Sequence, residues 1–134
     1  MANLLDVEGI GKVYAEKLKE VGVGSTEALL EMGSTPKGRK ELHEKSGISD
    51  ALLLEWINHV DLFRIKGVAE EYADLLEEAG VDTVPELAQR KAANLHQKLV
   101  EVNEAKKLVR QLPSEKQVSD WIEQAKALPR VINY

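Results

Sequence analysis

The run Gly9-Ile10-Gly11-Lys12 carries the residue types in this chain best suited to chemistry, and that chemistry is the capture of an anion. Glycine tolerates positive φ and close backbone approach, so a Gly-apolar-Gly turn can bring two helices together with the apolar residue plugged between them. The helix that follows opens with backbone N–H groups that have no partner inside it, and its dipole adds partial positive charge at the same end. One phosphate suits such an end, and Lys12 adds a full charge in the first turn. Lys37, Arg39 and Lys40 form the densest basic cluster, usable as auxiliary charges.

Other chemistries lack their residues. The absence of cysteine removes disulfides, thiolate metal sites and thiol nucleophiles together. His43, His59 and His96 are far apart and have no ligand-spaced partners, so no metal is expected. There is no Gly-rich loop ending in Lys-Ser/Thr, no nucleophile elbow and no His-Glu-x-x-His run. The expectation is therefore a non-enzymatic chain with no cofactor and no small-molecule substrate. Six aromatic residues are too few for stacking along a single strand, and Trp56, Trp121, Tyr14 and Tyr72 fall on apolar stripes as packing residues.

Charge narrows the partners further. The net charge is −5, split at Leu62 into −4 and −1, so neither half is a basic domain and any contact with nucleic acid must be local. No run approaches the roughly 20 apolar residues needed to span a bilayer, and the first residues lack a basic stretch followed by an apolar core. That predicts a cytoplasmic chain without a membrane partner.

The elements that must position these residues are helices. Ile10, Tyr14, Leu18 and Val21 recur at helical spacing, and Gly22 supplies a stop. Thr35-Pro36 opens a helix expected to run to about Lys45 before Gly47 ends it, and Ser49 caps the next, whose stripe is Leu53, Trp56, Ile57 and Val60. Later in the chain, Thr83 to Glu86 and Ser114 to Gln117 have capping-box spacing. Leu95, Leu99, Val102, Leu108, Val109 and Leu112 extend one helical period, and Val118, Trp121, Ile122 and Ala125 another. No stretch alternates as a strand would.

An internal repeat organises these elements. Residues 8–18 align with residues 66–76 at a constant offset of 58, matching Gly9 with Gly67, Tyr14 with Tyr72, Ala15 with Ala73 and Leu18 with Leu76. By Trp56-Ile57 against Trp121-Ile122 the offset is 65, which implies seven added residues, about two helical turns, expected between Leu95 and Leu112. Two units follow, residues 1–62 and 63–134, the second with a lengthened helix. Their connection, Val60 to Ile65, holds no Gly, Pro or Ser, so Leu62, Phe63 and Ile65 are expected to be buried where the copies meet.

Val7-Glu8-Gly9-Ile10-Gly11-Lys12 with Ala15 and Leu18 resembles the helix-hairpin-helix signature, and the segment from Ser25 to Ser49 looks like the second hairpin of a double helix-hairpin-helix domain. Such domains occur in DNA repair proteins and recombinases, and the tandem pattern also resembles an uncharacterised bacterial family of helix-hairpin-helix repeats. The resemblance implies an all-α fold of two tandem units packed into one helical body. It also implies phosphate binding at Gly9, Ile10, Gly11 and Lys12, with Gly47, Ile48 and Ser49 as a second contact. In the second copy Ala69 replaces the second glycine, Glu70-Glu71 stand where Lys12-Val13 stand, and Pro113 has no N–H to donate. Two functions remain open: weak, non-specific contact with the backbone of double-stranded DNA, or a scaffold for a protein partner.

Overall fold

Short-range chemistry sets most helix ends. The computed structural model describes residues 3–7 and 9–134, so Glu8 of the first hairpin and the first two residues of the expected unit lie outside the described residues. A 3-10 helix, Leu4–Asp6, precedes α1 (Lys12–Glu20), α2 (Thr26–Met32), α3 (Pro36–Ser46) and α4 (Asp50–Leu62). Then come α5 (Glu70–Glu78), α6 (Val84–Ala88), α7 (Ala92–Lys106) and α8 (Glu115–Ala127). The chain is all-helical, with no strand among the described residues.

Thr35 Oγ1 accepts the Gly38 N–H at 3.0 Å and Pro36 follows at the first helical position, while Gly47 closes α3 in the left-handed region at φ 76°. Ser49 Oγ accepts the Leu52 N–H at 3.2 Å and so caps α4. At Ser114 the capping box closes in both directions, since Ser114 N–H donates to Gln117 Oε1 and Gln117 N–H to Ser114 Oγ. At Thr83 only half of it forms. Thr83 Oγ1 accepts the Glu86 N–H, but the Glu86 carboxylate takes Arg90 instead, at 3.1 Å.

The ends of α1 and α5 are built alike. Val23 N–H reaches back to Leu18 O at 2.8 Å and Gly22 N–H to Lys19 O, the paired bonds of a Schellman motif. Val81 N–H to Leu76 O, also 2.8 Å, and Gly80 N–H to Glu77 O repeat it. Leu18, Val23, Leu76 and Val81 are fully buried, so each stop is locked by apolar packing as well as by hydrogen bonds.

Two compact units result. One comprises the chain up to Asp61 together with Arg130–Tyr134, the other Leu62–Pro129. The last five residues join the first unit because Asn133 and Tyr134 find their hydrogen-bond partners at Ser34, Arg39 and Asn58. In the first unit α3 packs on α1 and α2; in the second α8 packs on α6 and α7, and α5 on α7. Leu62 and Ile65 are buried in the core of the second unit, with Phe63 packed partly buried against it.

The seven added residues are not two helical turns. Measured on the helices, α6 is two residues shorter than α2, α7 is four longer than α3, and the loop before α8 is five longer than the loop before α4. α7 stops at Lys106, and Lys107 turns left-handed at φ 52°. Leu108, Val109 and Leu112 therefore lie in a loop and do not continue the helix. Asn103 fixes that loop with its side-chain amide, accepting Val109 N–H at 3.0 Å and donating to Val109 O at 3.3 Å. Tyr72 OH to Gln111 O and His96 Nε2 to Pro113 O, both 3.0 Å, pin the rest.

Candidate nucleic-acid interface

The first hairpin is a turn in which Ile10 N–H donates to Val7 O at 3.0 Å, with Gly9 at φ 92°. Val7 and Ile10 point inward and are buried, whereas Gly9, Gly11, Lys12 and Val13 are exposed. A side chain on Gly9 is disfavoured twice over, by its positive φ and by Trp56, whose Nε1 would stand 3.1 Å from an added Cβ. Trp56 is in turn held edge-on by Tyr14 at 5.1 Å between ring centroids. Both aromatic residues thus pack the hairpin from behind.

Gly11 is the N-cap of α1 and has no side chain to cap with, so the first N–H groups of this helix open at an exposed surface beside Lys12. Among the described residues no acidic side chain lies in that first turn. This is the arrangement an anion requires.

The other sequence candidates divide. Arg39 is not an auxiliary surface charge. It is 8% exposed, donating from Nη1 to Gly33 O at 2.9 Å and from Nη2 to Asn133 O at 2.8 Å, so its guanidinium is committed to the protein's own backbone. Lys37 and Lys40 are exposed on α3 as expected of solvated lysines. A shallow cleft between α3 and α4 does present Lys40 and His43, but Glu44 and Asp50 line it equally, leaving no net cationic surface.

At the second turn two backbone donors are bonded internally. Gly47 N–H bonds His43 O, Ile48 N–H bonds Ser46 Oγ at 3.1 Å, and the Ser49 hydroxyl is occupied as the cap of α4. His43 Nδ1 lies 2.6 Å from Ile48 O, which requires the proton on Nδ1 because a carbonyl can only accept. Nothing in the spacing of these residues distinguishes a self-bonded turn from an open one. The Ser46 hydroxyl, folded back onto Leu42 O, is what closes it.

In the second unit Gly67 has φ 96°, Trp121 Nε1 would stand 3.0 Å from a Cβ there, and Tyr72 meets Trp121 at 5.3 Å. Ala69 is the N-cap of α5, again without a side-chain cap, but Glu70 and Glu71 fill the first turn. The backbone frame is the same and the charge is reversed. Gln124 clamps this hairpin through both of its amide atoms, accepting Lys66 N–H at 2.8 Å and donating to Lys66 O at 3.0 Å, a contact that the motif alone does not announce.

No helix of the chain is long and apolar enough to cross a membrane among the described residues. No curated protein and no solved structure matches the chain. Residues 8–128 match the family described as Domain of unknown function (DUF4332), and the chain belongs to that family.

Proposed function

We propose that the chain is a tandem helix-hairpin-helix binding module whose first hairpin takes one backbone phosphate of double-stranded DNA without reading sequence. The observation that carries this is the start of α1: an exposed helix end with no side-chain cap, no acid in its first turn, and Lys12 beside it. The interface is smaller than the sequence suggests, because Arg39 is buried and the Gly47 and Ile48 N–H groups are bonded within their own turn. Ile10 serves as the plug that holds the turn, and Gly9, Gly11 and Lys12 are the contacting residues. With so few contacts the binding is weak and steeply lost in salt only to the extent of one or two released counterions, a slope of roughly −1 to −2 in log–log form.

A second reading, a scaffold for a protein partner, draws on one observation of its own. Glu70 and Glu71 sit at the corresponding end of α5, where a basic protein surface is favoured and a phosphate repelled. Anisotropy of a fluorescent duplex titrated with the parent chain and with Lys12→Glu, at several salt concentrations, separates the two. Phosphate capture predicts binding at low salt that falls by about tenfold in the variant. Absence of binding by the parent at low salt leaves the scaffold.

A further inference from the structure

The segment Arg130–Tyr134 belongs to the first unit although it follows the second in sequence. Only Ile132 is buried there, at 2% exposure, while Asn133 and Tyr134 stay exposed. Asn133 is held through its backbone: its N–H donates to Ser34 O at 2.7 Å, and its carbonyl accepts from Arg39 Nη2 at 2.8 Å. The Tyr134 hydroxyl donates to Asn58 Oδ1 at 2.7 Å, and its ring lies 6.0 Å from the Arg39 guanidinium. The receiving surface is thus made by the turn between α2 and α3, by Arg39 on α3 and by Asn58 on α4.

Peptides can be recognised in this way, with main-chain hydrogen bonds giving affinity and side chains giving specificity, while within the segment Arg130 folds onto Ile132 O at 3.1 Å and lies 5.5 Å from the Tyr134 ring. Ile132 and Tyr134 supply the side chains, and Asn133 between them is read through its backbone alone. Part of the receiving surface is also held by bonds of its own. Arg39 is fixed by its separate bond to Gly33 O at 2.9 Å, and Gly33 is so tightly packed that a Cβ on it would stand 2.1 Å from Ile57 Cδ1.

We propose that this surface of the first unit is a peptide-docking groove, occupied in cis by Arg130–Tyr134, whose external partner is a protein segment bearing an aliphatic residue two places before a tyrosine. The cis segment acts as a strap that competes with that partner. Because one buried side chain and a few hydrogen bonds hold it, a segment of the same chemistry can displace it. The inference uses none of the residues of the first hairpin, so it stands or falls separately from phosphate binding.

The test uses a fluorescein-labelled peptide with the sequence of residues 128–134 and the full chain in three forms: parent, Tyr134→Ala and Ile132→Ser. Tyr134 is half exposed, so its substitution loosens the strap without touching a core, and thermal melts check that each variant remains folded. Expected is peptide binding at least tenfold tighter to both variants than to the parent, lost again when Arg39→Gln is added to Tyr134→Ala. Equal binding to parent and folded variants, or none to any of them at millimolar peptide, overturns the groove. A parent that runs as a dimer and becomes monomeric on Tyr134→Ala would place the segment of a second copy in the groove and overturn the cis strap.

Discussion

Gly9 and Trp56 are packed so closely that a methyl group on the glycine would stand 3.1 Å from the indole Nε1. The glycine also sits at φ 92°, a region that costs an L-residue about 1–2 kcal/mol. Gly9→Ala is therefore expected to destabilise the first unit by roughly 2 kcal/mol once displacement of the indole is included. Gly11 has nothing within 4 Å of an added Cβ and an ordinary φ of −85°, so Gly11→Ala should cost less than about 1 kcal/mol, the difference between a fair and a poor N-cap. Urea denaturation followed by tryptophan fluorescence reads both, and equal costs would show that the turn does not depend on its first glycine.

Gly38 offers a case in which local and tertiary rules predict opposite signs. Glycine to alanine inside a helix ordinarily stabilises by nearly 1 kcal/mol. Here the new Cβ would meet Met32 O at 2.0 Å, and that oxygen belongs to the backbone and cannot swing aside. Gly38→Ala is expected to lower stability by about 1–3 kcal/mol, measured by the denaturant midpoint at unchanged slope.

Arg39 should behave as a structural residue. Lysine cannot reproduce a fork that reaches Gly33 O and Asn133 O together, so Arg39→Lys is expected to cost about 1–3 kcal/mol. Lys37→Gln and Lys40→Gln, both at exposed positions, should stay within about 0.5 kcal/mol of the parent. A thermal-melt comparison that ranked the three equally would return Arg39 to the surface cluster.

These residues also show what could be read from the sequence and what could not. Thr35, Pro36, Gly47, Ser49 and Ser114 act within four residues of themselves, and the helix ends they announce are where the structure puts them. The burial of Arg39 depends on Asn133, 94 residues away, so no local pattern could separate it from Lys37 and Lys40. The end of α7 is similar. Lys107 takes the left-handed conformation without being Gly or Asn, and the apolar period runs on through Leu112, so the sequence lacks a stop signal until Pro113. What ends the helix is the Asn103 amide clasping Val109 across the turn. At the candidate interface the glycines mark two turns, with Gly9 and Gly47 at positive φ, but only the hydrogen bonds show that the Gly47 and Ile48 N–H groups are bonded within theirs and that α1 begins without a side-chain cap.

The uncapped starts of α1 and α5 set stability and binding against each other. Acidic side chains in a first helical turn stabilise by about 0.3–1 kcal/mol through the dipole, and basic ones oppose it. Glu70 and Glu71 hold that favourable place in α5, whereas Lys12 occupies the unfavourable one in α1. Lys12→Glu is therefore expected to raise the stability of the first unit by a few tenths of a kcal/mol while weakening duplex binding about tenfold, and Glu70→Lys to lower stability slightly while strengthening binding. Glu70→Lys should also steepen the salt dependence by about one unit, because a further phosphate contact releases a further counterion. Opposite movement of the two readouts separates a lysine placed for a ligand from one placed for the fold. Denaturation midpoints and duplex anisotropy on the same preparations measure both. If Lys12→Glu lost stability and binding together, the weaker binding would report damage to the hairpin, and the phosphate site at α1 would have no support.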